Sequence, residues 1–131
     1  MTAKQHLRQV RDVDVSIDAK LEQIMRLRVR AENLRSLSSA GGNTHTRDKM
    51  GECLEKIEEL ESKINEDINR QIDLKADIYD KIRELENTDY KTLLELKYLN
   101  FETWEKVAEK MNRSVSGVHV LHAKALRKIN V

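Results

Sequence analysis

The chain has no proline, four glycines, one cysteine and five aromatic residues in 131 positions. β-Sandwiches and barrels need Gly and Pro in their turns, so an all-β fold is excluded. A lone Cys53 rules out a disulfide scaffold and points to a reducing compartment. No apolar run approaches the roughly 18 residues of a membrane span, and residues 1–10 lack the apolar centre of a signal peptide. A soluble intracellular protein with no membrane partner is therefore expected. Gly41-Gly42 is not followed by Lys and Ser or Thr, so no phosphate-cradling loop is present. Cys53 has no histidine at a useful spacing, and the carboxylates of residues 52–86 scatter around a solvated helix rather than pairing. Neither an enzyme nor a cofactor is expected.

Charge is what the chain has in excess: 36% of residues, against a typical ~25%. Residues 1–47 carry nine Lys and Arg against five Asp and Glu, a net +4. Residues 48–87 carry seven against thirteen, a net −6, and residues 88–131 carry eight against five, a net +3. Residues 114–131 hold Lys124, Arg127 and Lys128 and no acid. A basic terminus beside an acidic middle is a charge asymmetry that a functional reading has to explain.

Residues 3 to about 37 repeat apolar side chains at steps of three and four: Leu7, Val10, Val13 or Asp14, Ile17, Leu21, Ile24, Leu27, Ala31 and Leu34. That is one stripe on a helix. The stretch Ser38-Ser39-Ala40-Gly41-Gly42-Asn43-Thr44 breaks it and reads as a loop. Thr46 or Asp48 is placed to cap a second helix over residues 48–86, with a stripe of Met50, Leu54, Ile57, Leu60, Ile64, Ile68, Ile72, Ile78, Ile82 and Leu85, interrupted by polar residues near Gln71 and Lys75. A helix this long with a single apolar stripe must pack against another helix. The first helix, folded back through the glycine loop, is the simplest partner, and its net positive charge suits the negative second helix. An intermolecular coiled coil through the same faces stays open, and with it a homodimer.

The composition changes after Glu86-Asn87-Thr88-Asp89, where Thr88 or Asp89 is placed to cap the next helix. Four of the five aromatics fall between Tyr90 and Trp104, which starts a second, compact core leaning on the long helix. Three short helices are read here: Tyr90 to about Tyr98, then Trp104 to Met111 behind an N-cap at Thr103, then Val115 to about Ile129 behind an N-cap at Ser114. Ala108 permits close helix crossing, Asn112 tolerates a positive φ in the turn, and Val118 and Leu121 anchor the last helix. Tyr98, Phe101, Trp104, Leu94 and Leu126 are read as core. The architecture is therefore all-α: a long antiparallel, coiled-coil-like helical hairpin over residues 1–87, an interaction or oligomerisation region, followed by a compact C-terminal helix-turn-helix over residues 88–131.

The segment from Thr103 to Ser114, TWEKVAEKMNRS, and the ending His122 to Ile129, HAKALRKI, resemble region 4 of sigma-70 family factors. The layout of helical hairpin, Gly-Gly loop and this module also resembles small phage and prophage proteins described as sigma-factor-like transcription regulators. The resemblance covers residues 90–131. It implies duplex DNA as a partner, RNA polymerase as a second one, and the cytoplasm of a bacterial host as the location. The positions matching the start of the recognition helix are Val115, Ser116, Gly117 and His119, with no Arg or Glu, so base reading falls to small and neutral groups. Promoter opening is not expected, because residues 1–87 carry nothing like an aromatic-rich melting region.

The candidate DNA-binding residues divide by chemistry. Ser114 offers a hydroxyl and a helix N-terminus to a phosphate. Ser116 and His119 are placed to face a major groove, and Val115 to meet a thymine methyl. Arg113, Lys124, Arg127 and Lys128 are candidates to neutralise phosphates. His119 and His122 share a helix face, but without a third ligand no metal site is expected. Two other functions fit the same pattern: a small terminase-type DNA-packaging subunit, and a coiled-coil interaction module that does not bind DNA.

Overall fold

The computed structural model describes residues 2–39 and 44–130. The expected Gly41-Gly42 loop lies outside the described residues. The elements are α1 (Ala3–Ser39), α2 (Thr44–Arg83), α3 (Thr88–Leu94), α4 (Trp104–Lys110) and α5 (Val115–Lys128), and α3 runs on into a π-helical turn, Glu95–Leu99. There is no strand among the described residues, and no helix among them is long and apolar enough to cross a membrane. α2 starts at Thr44, so the caps expected at Thr46 and Asp48 fall inside the helix.

The chain divides into two compact units. One is Asp14–Asn69; the other joins Met1–Val13 to Arg70–Val131. This division differs from the boundary at residue 87 read from composition. The reason is apolar area: a segment as short as 88–131 is near the lower limit for an independent core, and it takes buried surface from both long helices.

In the unit Asp14–Asn69 a run of buried or half-buried positions follows 17, 20, 24, 27, 31 and 34 on α1 and 53, 57, 60, 64 and 67 on α2, with 14, 16, 46, 49, 50 and 51 half-buried as well. Steps of three and four alternate along both, which is the spacing of a coiled-coil seam. Cross-helix ion pairs run antiparallel: Arg28 Nη2 lies 3.0 Å from Glu61, and Lys20 Nζ lies 2.6 Å from Asp67. The Lys20–Asp67 pair occupies seam positions, with side chains only 19% and 21% exposed, and the Ser16 hydroxyl also donates to Asp67 at 3.1 Å. The sequence reading followed the isoleucines and put Leu21, Leu54, Ile68 and Ile72 on the packed stripe; all four are exposed. A pair of helices buries a seam one residue wide, and the strict alternation passes through Asp67 and Gln71 instead.

The unit Met1–Val13 with Arg70–Val131 has one core. Leu7 and Val10 of α1, Ile78 and Ile82 of α2, Leu93 and Leu94 of α3, Val107 of α4 and Val118 and Ala125 of α5 are all fully buried. Tyr98 and Leu94 lie inside it, while Phe101, Trp104, Leu121 and Leu126 are half-buried against its edge. The Gln71 amide reaches the Val10 carbonyl at 3.5 Å, and His6 Nε2 lies 3.1 Å from Asp77. α3 is capped by Asn87, whose side-chain oxygen accepts from the Tyr90 amide at 3.1 Å, one residue ahead of the expected Thr88 or Asp89. The π turn closes with the Asn100 amide on the Glu95 carbonyl at 3.0 Å and delivers Phe101 at φ 57°. A left-handed conformation is rare for a bulky residue, and nothing in the sequence announces it.

The Lys20–Asp67 pair sets register rather than net stability, since desolvation offsets most of the attraction between seam charges. Lys20→Leu alone removes the Lys20 ammonium from a half-buried Asp67 that keeps the Ser16 hydroxyl, and is expected to lower unfolding free energy by about 1–3 kcal/mol in guanidinium titrations. Lys20→Leu combined with Asp67→Leu is expected to regain the parent value or exceed it. A double variant no better than the single one contradicts this account.

Candidate nucleic-acid interface

α4 begins at a real cap: Thr103 Oγ1 accepts from the Lys106 amide at 3.2 Å. It ends in a Schellman motif. The Arg113 amide donates to the Ala108 carbonyl at 3.0 Å and the Asn112 amide to the Glu109 carbonyl at 3.2 Å, with Asn112 at φ 54°. The turn therefore uses Asn112 as the spacing predicts, and Ala108 is buried beneath it. Four residues, 111–114, separate the end of α4 at Lys110 from the start of α5 at Val115. Ser114 caps it, its Oγ accepting from the Gly117 amide at 3.0 Å, which leaves the Val115 and Ser116 amides without intrahelical partners. A Cβ at Gly117 would stand 3.1 Å from Ser114 Oγ, so a larger residue there would require the cap hydroxyl to give by a few tenths of an ångström.

α5 packs against α3 and α4 through Val118, His122 and Ala125. The opposite side faces out. All eight sequence-predicted residues, Arg113, Ser114, Val115, Ser116, His119, Lys124, Arg127 and Lys128, are exposed. No acidic residue lies on α5, and its last turn carries Arg127 and Lys128. Two of the eight are partly committed elsewhere. Arg113 Nη2 lies 2.7 Å from Asp89 in the first turn of α3, so its guanidinium must be shared with, or released from, that carboxylate to meet an anion. The His119 ring rests on Trp104, centroids 4.7 Å apart.

Sequence reasoning missed Val120, which is 57% exposed, and Ala123 beside it. Val120 falls four residues after Ser116 and Ala123 seven after it, on the same face. The helical phase alone would have found both. The outward surface of α5 is thus small and apolar at its centre, with polar groups at its start and cations at its end.

The chain matches, over residues 28–130, a family described as protein of unknown function, DUF1492. It belongs to that family. No curated protein and no solved structure matches it. The matched stretch of this DUF1492 chain includes α3, α4 and α5 entire.

Behind the outward face of the DUF1492 chain sits a buried polar pair. The Tyr98 hydroxyl and His122 Nε2 are 2.6 Å apart, and His122 is only 6% exposed. Burial pushes the Tyr98 hydroxyl up to about 12, so it keeps its proton and donates. Burial, then the nearby charges of Lys4, His119 and Lys97, push His122 down to about 4, so its ring is neutral and Nε2 accepts. Trp104 stands edge-on to His122 with centroids 4.7 Å apart, which places one indole between a buried and an exposed imidazole of the same helix.

This pair makes stability depend on pH. The unfolded chain protonates His122 near pH 6.5, whereas the folded ring does so only near 4. The unfolded state therefore binds more protons between these values, and stability is lost as pH falls through them. The melting temperature is expected to decline from pH 6.5 to about 5, above the range where carboxylates titrate. His122→Gln keeps an acceptor for the Tyr98 hydroxyl and should flatten that slope. An unchanged slope in the variant would assign the effect to other groups.

Proposed function

We propose that this DUF1492 protein is a phage-type, sequence-specific DNA-binding transcription regulator. In this reading α4 and α5 act as a helix-turn-helix of the sigma-70 region 4 type, and α5 lies in the major groove of duplex DNA. The observation that carries the reading is the outward face of α5: exposed along its length, free of acidic residues and basic at its C-terminal end. The capped start of α5 and the left-handed Asn112 turn support it as well, because they set the crossing of the two helices that groove insertion requires.

The roles follow from chemistry. Ser114, with the free Val115 and Ser116 amides, takes a backbone phosphate at the helix N-terminus. Val115 and Val120 offer apolar contact to thymine methyls, and Ser116 and His119 offer hydrogen bonds to base edges. Lys124, Arg127 and Lys128 lie along the flanking phosphates, joined by Arg113 when it leaves Asp89. The exposed apolar residues Leu21, Met25, Val29 and Leu54 on the long helices support self-association. A homodimer of this kind reads two half-sites about one helical turn apart. RNA polymerase is a further partner in this reading, and a bacterial cytoplasm its setting.

The test is fluorescence anisotropy on duplexes selected from a random pool, at several salt concentrations, with and without RNA polymerase. Lys124→Gln with Arg127→Gln should weaken binding to all duplexes alike and reduce the slope of log affinity against log salt by about 2, since each lost phosphate contact removes roughly 0.9. His119→Ala should instead alter which sequences are preferred. Absence of any parent binding at low salt rejects the reading, and the coiled-coil interaction module then takes its place.

A further inference from the structure

A cavity of about 320 Å³ in the unit Met1–Val13 with Arg70–Val131 plays no part in the reading above. Lys4, Arg8 and Arg11 follow at steps of four and three on α1, so they lie on one side of that helix. Lys97 from the π turn joins them, and Phe101 and Trp104 wall the space. Four cations thus line the cavity and no carboxylate does. Among the described residues neither Lys4, Arg8 nor Lys97 has an ion-pair partner. Lys97 donates to the Glu102 carbonyl at 3.1 Å and sits 4.5 Å over the Trp104 ring. Burial, then the charge of Arg11, holds its ammonium below the usual lysine range, with the charge of Glu105 opposing them. Cations gathered on one concave surface that no carboxylate lines repel one another, and an anion relieves that repulsion.

We propose that this cavity binds a compact anion made of phosphate groups. The volume is at the small end of ligand sites and suits a short phosphate chain. The aromatic walls are already used by cations: Lys97 covers Trp104, and Arg11 and Lys75 lie 5.2 and 5.1 Å from the Phe101 centroid. The rings therefore orient the cations rather than offer an open face for stacking, and the ligand is recognised by its charge. Lysine supplies point charges and arginine a planar fork, a combination that matches tetrahedral oxyanions with several acceptor oxygens. The phosphates come either from a free polyphosphate or nucleotide tail, or from a nucleic-acid backbone. The site is distinct from the outward face of α5.

Trp104 is the only tryptophan and walls the cavity, so its emission reports on occupancy there as well as on its contact with His119. The full-length protein is titrated with tripolyphosphate at low ionic strength, with sodium chloride at matched ionic strength as the control. A saturable change in Trp104 emission is expected with tripolyphosphate and not with chloride. Arg8→Gln with Lys97→Gln should weaken binding about tenfold or more, as loss of charge-assisted contacts requires. Lys4→Gln with Arg8→Gln, both at exposed positions and safe for folding, should do the same. Lys124→Gln with Arg127→Gln should leave tripolyphosphate binding unchanged, which separates this site from the proposed DNA-binding face. Displacement of tripolyphosphate by duplex DNA assigns the phosphates to a nucleic-acid backbone, and lack of displacement assigns them to a free anion. The proposal is overturned if no saturable change occurs, if chloride reproduces it, or if both cavity variants bind like the parent.

Discussion

The dependence of three short helices on the ends of two long ones governs this structure. α3, α4 and α5 are too short to close a core by themselves. Leu7 and Val10 from α1 and Ile78 and Ile82 from α2 complete it, all fully buried beside Leu93, Leu94, Val107 and Val118. Because that apolar contact holds the inward side of α5, the outward side is presented as a fixed surface. The same contact brings the start of α1 beside the π turn, and so assembles the basic cavity from residues far apart in the chain.

Polar chemistry is used sparingly inside the protein, and each use has a consequence. At the seam of the long helices, Lys20 and Asp67 stand where apolar residues would pack. A paired seam charge gains little stability but penalises sliding of one helix along the other, because any shift strands a charge. In the other unit the Tyr98–His122 bond satisfies two buried polar groups and keeps the imidazole neutral. Trp104, touching His122 on one side and His119 on the other, links that pair to the surface of α5.

Family membership attaches no activity to this chain, so the functional reading rests on surface chemistry. The outward face of α5 differs from the basic cavity in kind. It is convex, mixed in polarity and cationic only toward its end, as suits a long groove. The cavity is concave and lined by four cations, as suits a small polyanion. The two surfaces lie in one unit but draw on different helices, and they can be altered separately.

Local chemistry was legible along the chain. Thr103 and Ser114 cap their helices because a short side-chain oxygen reaches an orphan amide three residues on. Asn112 turns left-handed where the spacing requires it. The all-helical character follows from missing proline and the three-and-four periodicity. Other features were decided by packing. Ile68 and Ile72 face solvent while Asp67 and Gln71 enter the seam, because the phase of a helix is set by its partner and not by its most apolar residues. Phe101 adopts φ 57° because a π turn ahead of it shifts the chain by one residue. Lys97 meets Lys4, Arg8 and Arg11 across some ninety positions of sequence. The sequence by itself determined that the chain would be helical and how α4 and α5 would start, since those depend on neighbours within one turn, whereas α2 and α3 start at other residues than it offered. Only the tertiary structure decided which charges converge, because convergence depends on how distant apolar surfaces find one another.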